Sequence, residues 1–133
     1  MVGKAKAALK PETSASAHPF SGRHFLASYL ECNPEALENP AGLRECLRNA
    51  IKASGATLLG LNEHIFPAGG MTIVALLAES HASIHTYPEH RACFVDFFTC
   101  GSKTSIEDFD AVIRAYLQPG EVAAQTEMRG QAQ

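Results

Sequence analysis

A chain of 133 residues with 46% hydrophobic side chains is one domain's worth of sequence, with enough apolar surface for a core of its own and too much for wholesale disorder. Its formal net charge of -3 and pI of about 6.0 give no basic footprint for a nucleic-acid partner. No apolar run reaches the length of a membrane span.

Residues 1–20, rich in Ala, Lys, Ser and Pro without any period, are expected to be a mobile tail. Positive charge at Lys4 and Lys6 is followed by no apolar stretch, because Lys10-Pro11-Glu12-Thr13-Ser14 interrupts it. The expectation is therefore a cytoplasmic protein with no secretory signal and no membrane contact. Cys32, Cys46, Cys93 and Cys100 are then expected as reduced thiols. The first three sit in apolar patterns and predict buried structural cysteines. Cys100, between Thr99 and Gly101, stands just past the end of an apolar run.

Gly22-Arg23 opens a predicted strand over 24–31, which Asn33-Pro34 stops. Asn39-Pro40 supplies a capping side chain followed by proline at the first helical position, and Leu43, Cys46, Leu47, Ala50 and Ile51 recur at helical spacing up to Gly55. Strands follow at 57–61, 72–78, 83–87 and 92–98, with turns at 67–70 and 88–91. A second helix is expected to begin at Thr104 or Ser105; Thr104 and Glu107 have capping-box spacing, and the apolar face is Ile106, Phe109, Ile113, Tyr116 and Leu117. Pro119-Gly120 ends it, and 119–133 is expected to be a frayed C-terminal tail. Residues 21–118 thus form a single α+β domain, a two-layer sandwich with helices on one face of a largely antiparallel sheet. The runs 72–78 and 92–98 are apolar on both alternating faces, so the uncovered sheet face predicts a homodimer of four layers.

Chemistry concentrates in Glu79-Ser80-His81-Ala82-Ser83-Ile84-His85-Thr86-Tyr87-Pro88-Glu89 and in Phe98-Thr99-Cys100-Gly101. His81 and His85 would share a helix face, but on a strand they stand about 13 Å apart, too far for one metal ion, and no metal site is expected. Ser80, His85 and Asp96 are the types of a hydrolase triad, yet no Gly-x-Ser-x-Gly elbow surrounds the serine. A strand-end serine with satisfied, half-buried histidines explains the same residues. A hairpin of 83–87 and 92–98 with the loop 88–91 makes paired positions sum to 179. That register sets Ser80 opposite Thr99 and Glu79 opposite Cys100, and leaves His85 on the other face of a straight strand unless the backbone bends near 80–83.

From Gly22-Arg23-His24 through the second helix, and above all in Glu79 to Glu89 and Val95-Asp96-Phe97-Phe98-Thr99-Cys100-Gly101, the chain resembles the prokaryotic S-adenosylmethionine decarboxylase proenzymes. The resemblance implies self-cleavage between Glu79 and Ser80 and conversion of Ser80 to a pyruvoyl group. That ketone forms a Schiff base with a substrate amine and takes up electrons as carbon dioxide leaves. It further implies Thr72 as an assisting hydroxyl in processing, His85 as its base, Cys100 as proton donor in decarboxylation, and Phe66, Tyr87 and Glu89 as substrate contacts. Without the resemblance, Phe66 is equally a turn-anchoring side chain and Glu89 a solvated turn residue. Ser21, the turn 64–70, Thr72 and 90–94 depart from the commonest family pattern. The implied reaction supplies an aminopropyl donor for spermidine synthesis. Arginine or ornithine as the substrate, or a homologue that binds without processing, are the alternatives.

Overall fold

Asn39 starts a helix for the reason its side chain offers. Its Oδ1 accepts the backbone N–H of Gly42 at 3.0 Å, Pro40 occupies the first turn, and Gly55 closes the helix at φ +89°. The computed structural model describes residues 20–100 and 102–130; residues 1–19, nearly all of the stretch read as an N-terminal tail, lie outside them. The elements are β1 (Ser21–Leu30), α1 (Pro34–Leu37), α2 (Pro40–Ser54), β2 (Leu58–Ile65), β3 (Met71–Leu77), β4 (Ser80–Tyr87), a 3-10 turn (Pro88–His90), β5 (Ala92–Thr99), α3 (Ile106–Leu117) and β6 (Glu121–Gly130). The strands form one sheet in the order β2-β3-β4-β5-β1-β6, antiparallel at each step.

The two long helices lie together on one side of the sheet, as expected for this α+β class. Leu43, Leu47 and Ile51 of α2 and Phe109, Ile113 and Leu117 of α3 are buried against Phe25, Ile73, Ile84, Val95 and Phe97. The Phe97 and Phe109 rings stack with centroids 4.4 Å apart. Tyr29, fully buried, donates its hydroxyl to Asp110 and so ties β1 to α3. Burial, the larger cause, and that carboxylate together push the Tyr29 phenol well above its ordinary range. Among the described residues no helix is long and apolar enough to cross a membrane.

One open alternative is settled and two local expectations are corrected. The cap of α3 is Ser105, whose hydroxyl accepts the Asp108 N–H at 3.1 Å. Thr104 turns inward instead, its hydroxyl 2.9 Å from that of Thr99 and accepting from Arg23 at 3.0 Å. Pro34 does not merely stop β1 but begins the single turn α1, capped by Asn33. The segment read as a C-terminal tail is strand β6, paired with β1 over all ten of its residues. Backbone ladder bonds hold it in place with little core contact, since nearly all its side chains are exposed.

Candidate active site

The hairpin β4–β5 has the register that its loop length dictates: Tyr87 pairs with Ala92 and Ser80 with Thr99. At its open end the backbone N–H of Cys100 donates to the carbonyl oxygen of Glu79 at 3.1 Å. The Cys100 Sγ lies 3.9 Å from Ser80 Oγ. The Glu79 carboxylate is anchored from the other side, where it accepts the Thr57 N–H at 3.0 Å and the Thr57 hydroxyl at 3.3 Å. Ser80 itself has φ +152°, a conformation that costs a non-glycine residue about 1–3 kcal/mol. The Glu79–Ser80 bond is therefore gripped on both sides and carries backbone strain on its serine.

Cys100 differs from the other three thiols. Cys32, Cys46 and Cys93 are buried, and burial pushes Cys32 up to about 11 and Cys46 up to about 12, values at which a thiol is inert near neutrality. Cys93 is raised further still by the same cause. Cys100 is only half-buried and opens on a cavity of about 250 Å³ bounded by Phe98 and Arg129.

The remaining residues singled out by sequence gather at the other end of β4. Phe66, Thr72, His85, Tyr87 and Glu89 line a second cavity of about 250 Å³. The turn that carries Phe66 needs its glycines: Gly70 has φ +91°, and a Cβ there would come within 2.8 Å of the Thr86 carbonyl oxygen. Among the described residues lining this cavity Glu89 is the acid, with the aromatic rings of Phe66 and Tyr87 exposed beside it. His85 stands five residues from Ser80, about 16 Å along a strand. The bend that would bring them together within one chain is absent: β4 pairs with β3 and with β5 in unbroken register from Ser80 to His85. The residues singled out by sequence thus fall into two groups, one at each end of β4.

Between them, on the sheet face away from the helices, runs a chain of polar contacts. Thr72 Oγ1 is 3.2 Å from His85 Nδ1, and Ser83 Oγ is 3.2 Å from His85 Nε2. Ser83 donates to Asp96 Oδ1, while His24 Nε2 and His81 Nε2 lie 2.7 and 3.0 Å from Asp96 Oδ2. Burial alone would raise the Asp96 carboxyl, but the hydrogen bonds from Ser83, His24 and His81 outweigh it and hold the acid below the usual carboxylate range. Arg129 of β6 donates to His24 Nδ1 at 3.1 Å, with its guanidinium 4.9 Å from the Phe98 ring centre.

One sequence alternative, the triad, can be placed on this geometry. Ser80, His85 and Asp96 do not form a triad, because the His85 nitrogens go to Thr72 and Ser83, and Asp96 receives Ser83, His24 and His81. The nearby set His24, His81 and Asp96 brings its donor atoms within 4.8 Å of one another. An arginine can only donate, so His24 Nδ1 accepts and its proton sits on Nε2.

The family model for S-adenosylmethionine decarboxylase matches residues 23–130. The chain belongs to the S-adenosylmethionine decarboxylase family. The S-adenosylmethionine decarboxylase proenzyme of Methanococcus aeolicus is 43% identical over 98 residues, which cover 74% of this chain and 84% of that one. The proenzyme of Parasynechococcus marenigrum is 46% identical over 97 residues, covering 73% and 76%. The crystal structure of the adenosylmethionine decarboxylase of Aquifex aeolicus matches with a TM-score of 0.78 at 33% identity, over 84% of this chain and 92% of that one.

The stretch shared with the decarboxylase family runs to residue 130 and so includes β6, which the sequence pattern alone does not mark as a strand. Arg129 was missed with it. The signal was present as the alternation of Val122, Ala124, Thr126 and Met128, diluted by small and polar side chains. His24 and Ser83 were seen only as letters of longer motifs, and their convergence on Asp96 depends on which strands are neighbours.

Proposed function

We propose that this decarboxylase is made as a single chain that cleaves itself between Glu79 and Ser80, turns Ser80 into a pyruvoyl group, and decarboxylates S-adenosylmethionine as a homodimer. The observation that carries the reading is the grip on one peptide bond: the Cys100 N–H on the Glu79 carbonyl oxygen, with the Ser80 hydroxyl and Cys100 thiol 3.9 Å apart beside it. A donor on a carbonyl oxygen stabilises the negative charge that builds there when a nucleophile adds.

Ser80 Oγ adds to the Glu79 carbonyl carbon. The carbon–nitrogen bond breaks, and the serine proton passes to the freed amine. Loss of the Ser80 α-proton then forms the Cα–Cβ double bond while the Cβ–Oγ bond breaks and Glu79 leaves as a carboxylate. Tautomerisation to the imine and addition of water release ammonia and leave the ketone. The backbone strain at Ser80 supports cleavage at this bond, since opening it relieves the strain. The ketone supplies an electrophile for the substrate amine and a sink for electrons as carbon dioxide departs. The Cys100 thiol, beside that position and facing a cavity, is the acid that returns a proton to the substrate carbon.

Thr72 and His85 serve this chemistry from a second copy. In one chain they stand at the far end of β4 from Ser80, together with Phe66, Tyr87 and Glu89. A two-fold axis through the open sheet face lays the pocket end of each copy over the Ser80 end of the other, and an isologous contact makes the exchange reciprocal. Leu26, Val74, Leu76, Tyr87 and Phe94 of that face are between 38% and 59% exposed in the single chain, an apolar surface suited to such a seam. The pair of rings at Phe66 and Tyr87 favours an adenosyl group. Glu89 lies beside those rings on the same cavity wall, where it can accept from polar groups of the substrate.

Co-expression of Ser80→Ala and His85→Ala chains tests the arrangement. Neither alone cleaves, and the mixed dimer cleaves its His85→Ala chain, because that chain's Ser80 meets an intact His85 across the seam. No cleavage in the mixture would place the whole site within one chain. Release of labelled carbon dioxide from S-adenosylmethionine, arginine and ornithine tests the substrate, and release from either amino acid at a rate matching S-adenosylmethionine would overturn it.

A further inference from the structure

We infer that Ser83 and Asp96 are positioning residues for processing, which hold His85 in the tautomer that carries its proton on Nε2 and directs its basic Nδ1 at the Thr72 hydroxyl. The inference rests on the processing role proposed for His85. It follows from counting protons along the polar chain. Asp96 is an ionised acceptor, with the hydrogen bonds of Ser83, His24 and His81 all directed at it. Ser83 has one hydroxyl proton, and the carboxylate takes it. Toward His85 Nε2, at 3.2 Å, Ser83 Oγ can then only accept, so that nitrogen bears the ring proton. Nδ1 is left with the lone pair, and at 3.2 Å from it the Thr72 hydroxyl must be the donor. A base acts through the atom that holds the lone pair, and here three side chains from three strands decide which atom that is.

Asp96 is in turn held in place from strands the processing residues do not touch. His24 lies on β1, and its own tautomer is fixed by Arg129 of β6. Ser83 is only 7% exposed and Asp96 is half-buried, so water does not readily replace the contact between them. Without the carboxylate, the Ser83 proton is free to turn toward His85, and the imidazole then loses the reason to keep its proton on Nε2.

The test combines a spectrum with a rate. In a Ser80→Ala chain labelled with ¹⁵N-histidine, which cannot process, long-range proton–nitrogen correlations are expected to show His85 as the Nε2–H tautomer. Ser83→Ala or Asp96→Asn in the same background is expected to shift it toward the other tautomer or a mixture. In chains that retain Ser80, Ser83→Ala is expected to slow cleavage on the order of 100-fold, below the roughly 10⁴ lost when a catalytic histidine is fixed in the wrong tautomer. Ser83→Thr keeps the hydroxyl and is expected to restore most of the rate. An Nδ1–H tautomer in the parent chain, or unchanged cleavage by Ser83→Ala with the parent tautomer retained, would overturn the proposal while self-processing stood. Failure of the unaltered chain to cleave would remove the processing role of His85, and the proposal with it.

Discussion

Leu76→Asp separates a folded chain from an assembled one. Leu76 is 59% exposed on the sheet face away from the helices, so the single chain gains little from it, and substitution at such a position changes folding by about 0.5 kcal/mol or less. In the proposed dimer the same side chain is covered. Full burial of a leucine contributes roughly 1.5–3 kcal/mol. The share still exposed in one chain corresponds to about 0.9–1.8 kcal/mol, and the two-fold axis counts it twice. Loss of about 2–3.5 kcal/mol weakens the dimer roughly 30- to 400-fold, before the cost of covering two carboxylates is added. Sedimentation velocity across a concentration series reads the dissociation, with circular dichroism as the check that each chain stays folded. Cleavage is expected to fall with the dimer and to recover at high protein concentration. A variant that dimerises like the unaltered chain, or an unaltered chain that is monomeric and fully active at low micromolar concentration, would refute the seam assigned to this face.

Other substitutions probe the site itself. Cys100→Ala is expected to cleave nearly normally and to lose turnover by roughly 10²- to 10⁴-fold, the usual contribution of a positioned acid, with mass spectrometry detecting an aminated N-terminal group where the substrate carbon is not reprotonated. Phe66→Ala is expected to raise KM for S-adenosylmethionine by roughly 5- to 150-fold with little change in cleavage, since stacking on a base contributes about 1–3 kcal/mol; steady-state assays at saturating and limiting substrate separate the two. For Asp96, the folded carboxyl lies below its unfolded range, so its contribution is present above the ordinary carboxylate pKa and is lost as pH falls through the depressed one. Thermal melts between pH 7 and 3 are expected to fall less steeply toward acid in Asp96→Asn than in the unaltered chain.

What could be read from sequence follows a physical division. The loop 88–91 has a fixed length and its flanking strands alternate, so the contacts of Glu79 and Ser80 with 99–100 were legible from arithmetic alone. The α2 boundaries were legible because Asn39, Pro40 and Gly55 each act locally. The α3 cap narrows by sequence only to Thr104 or Ser105, because both are capping types, and a tertiary contact, Thr104 with Thr99 and Arg23, decides between them. The polar chain around Asp96 was not legible. It draws side chains from β1, β3, β4, β5 and β6, and the β5–β1–β6 adjacency joins segments some seventy to one hundred residues apart that no local pattern links. The sequence does not place His85 for a related reason: one chain alone does not contain the neighbour proposed for it.

The central claim is that the chain cuts itself at one bond and rebuilds the exposed serine. Intact-mass measurement of the purified protein, beside its Ser80→Ala variant, tests this most directly. The unaltered protein is expected to give two chains, 1–79 and 80–133, with the second lighter than a serine-initiated fragment by one ammonia and reactive toward a hydrazine. Ser80→Ala is expected to remain a single, unreactive chain. A single unmodified mass for the unaltered protein, or cleavage of Ser80→Ala at the same bond, would contradict the account.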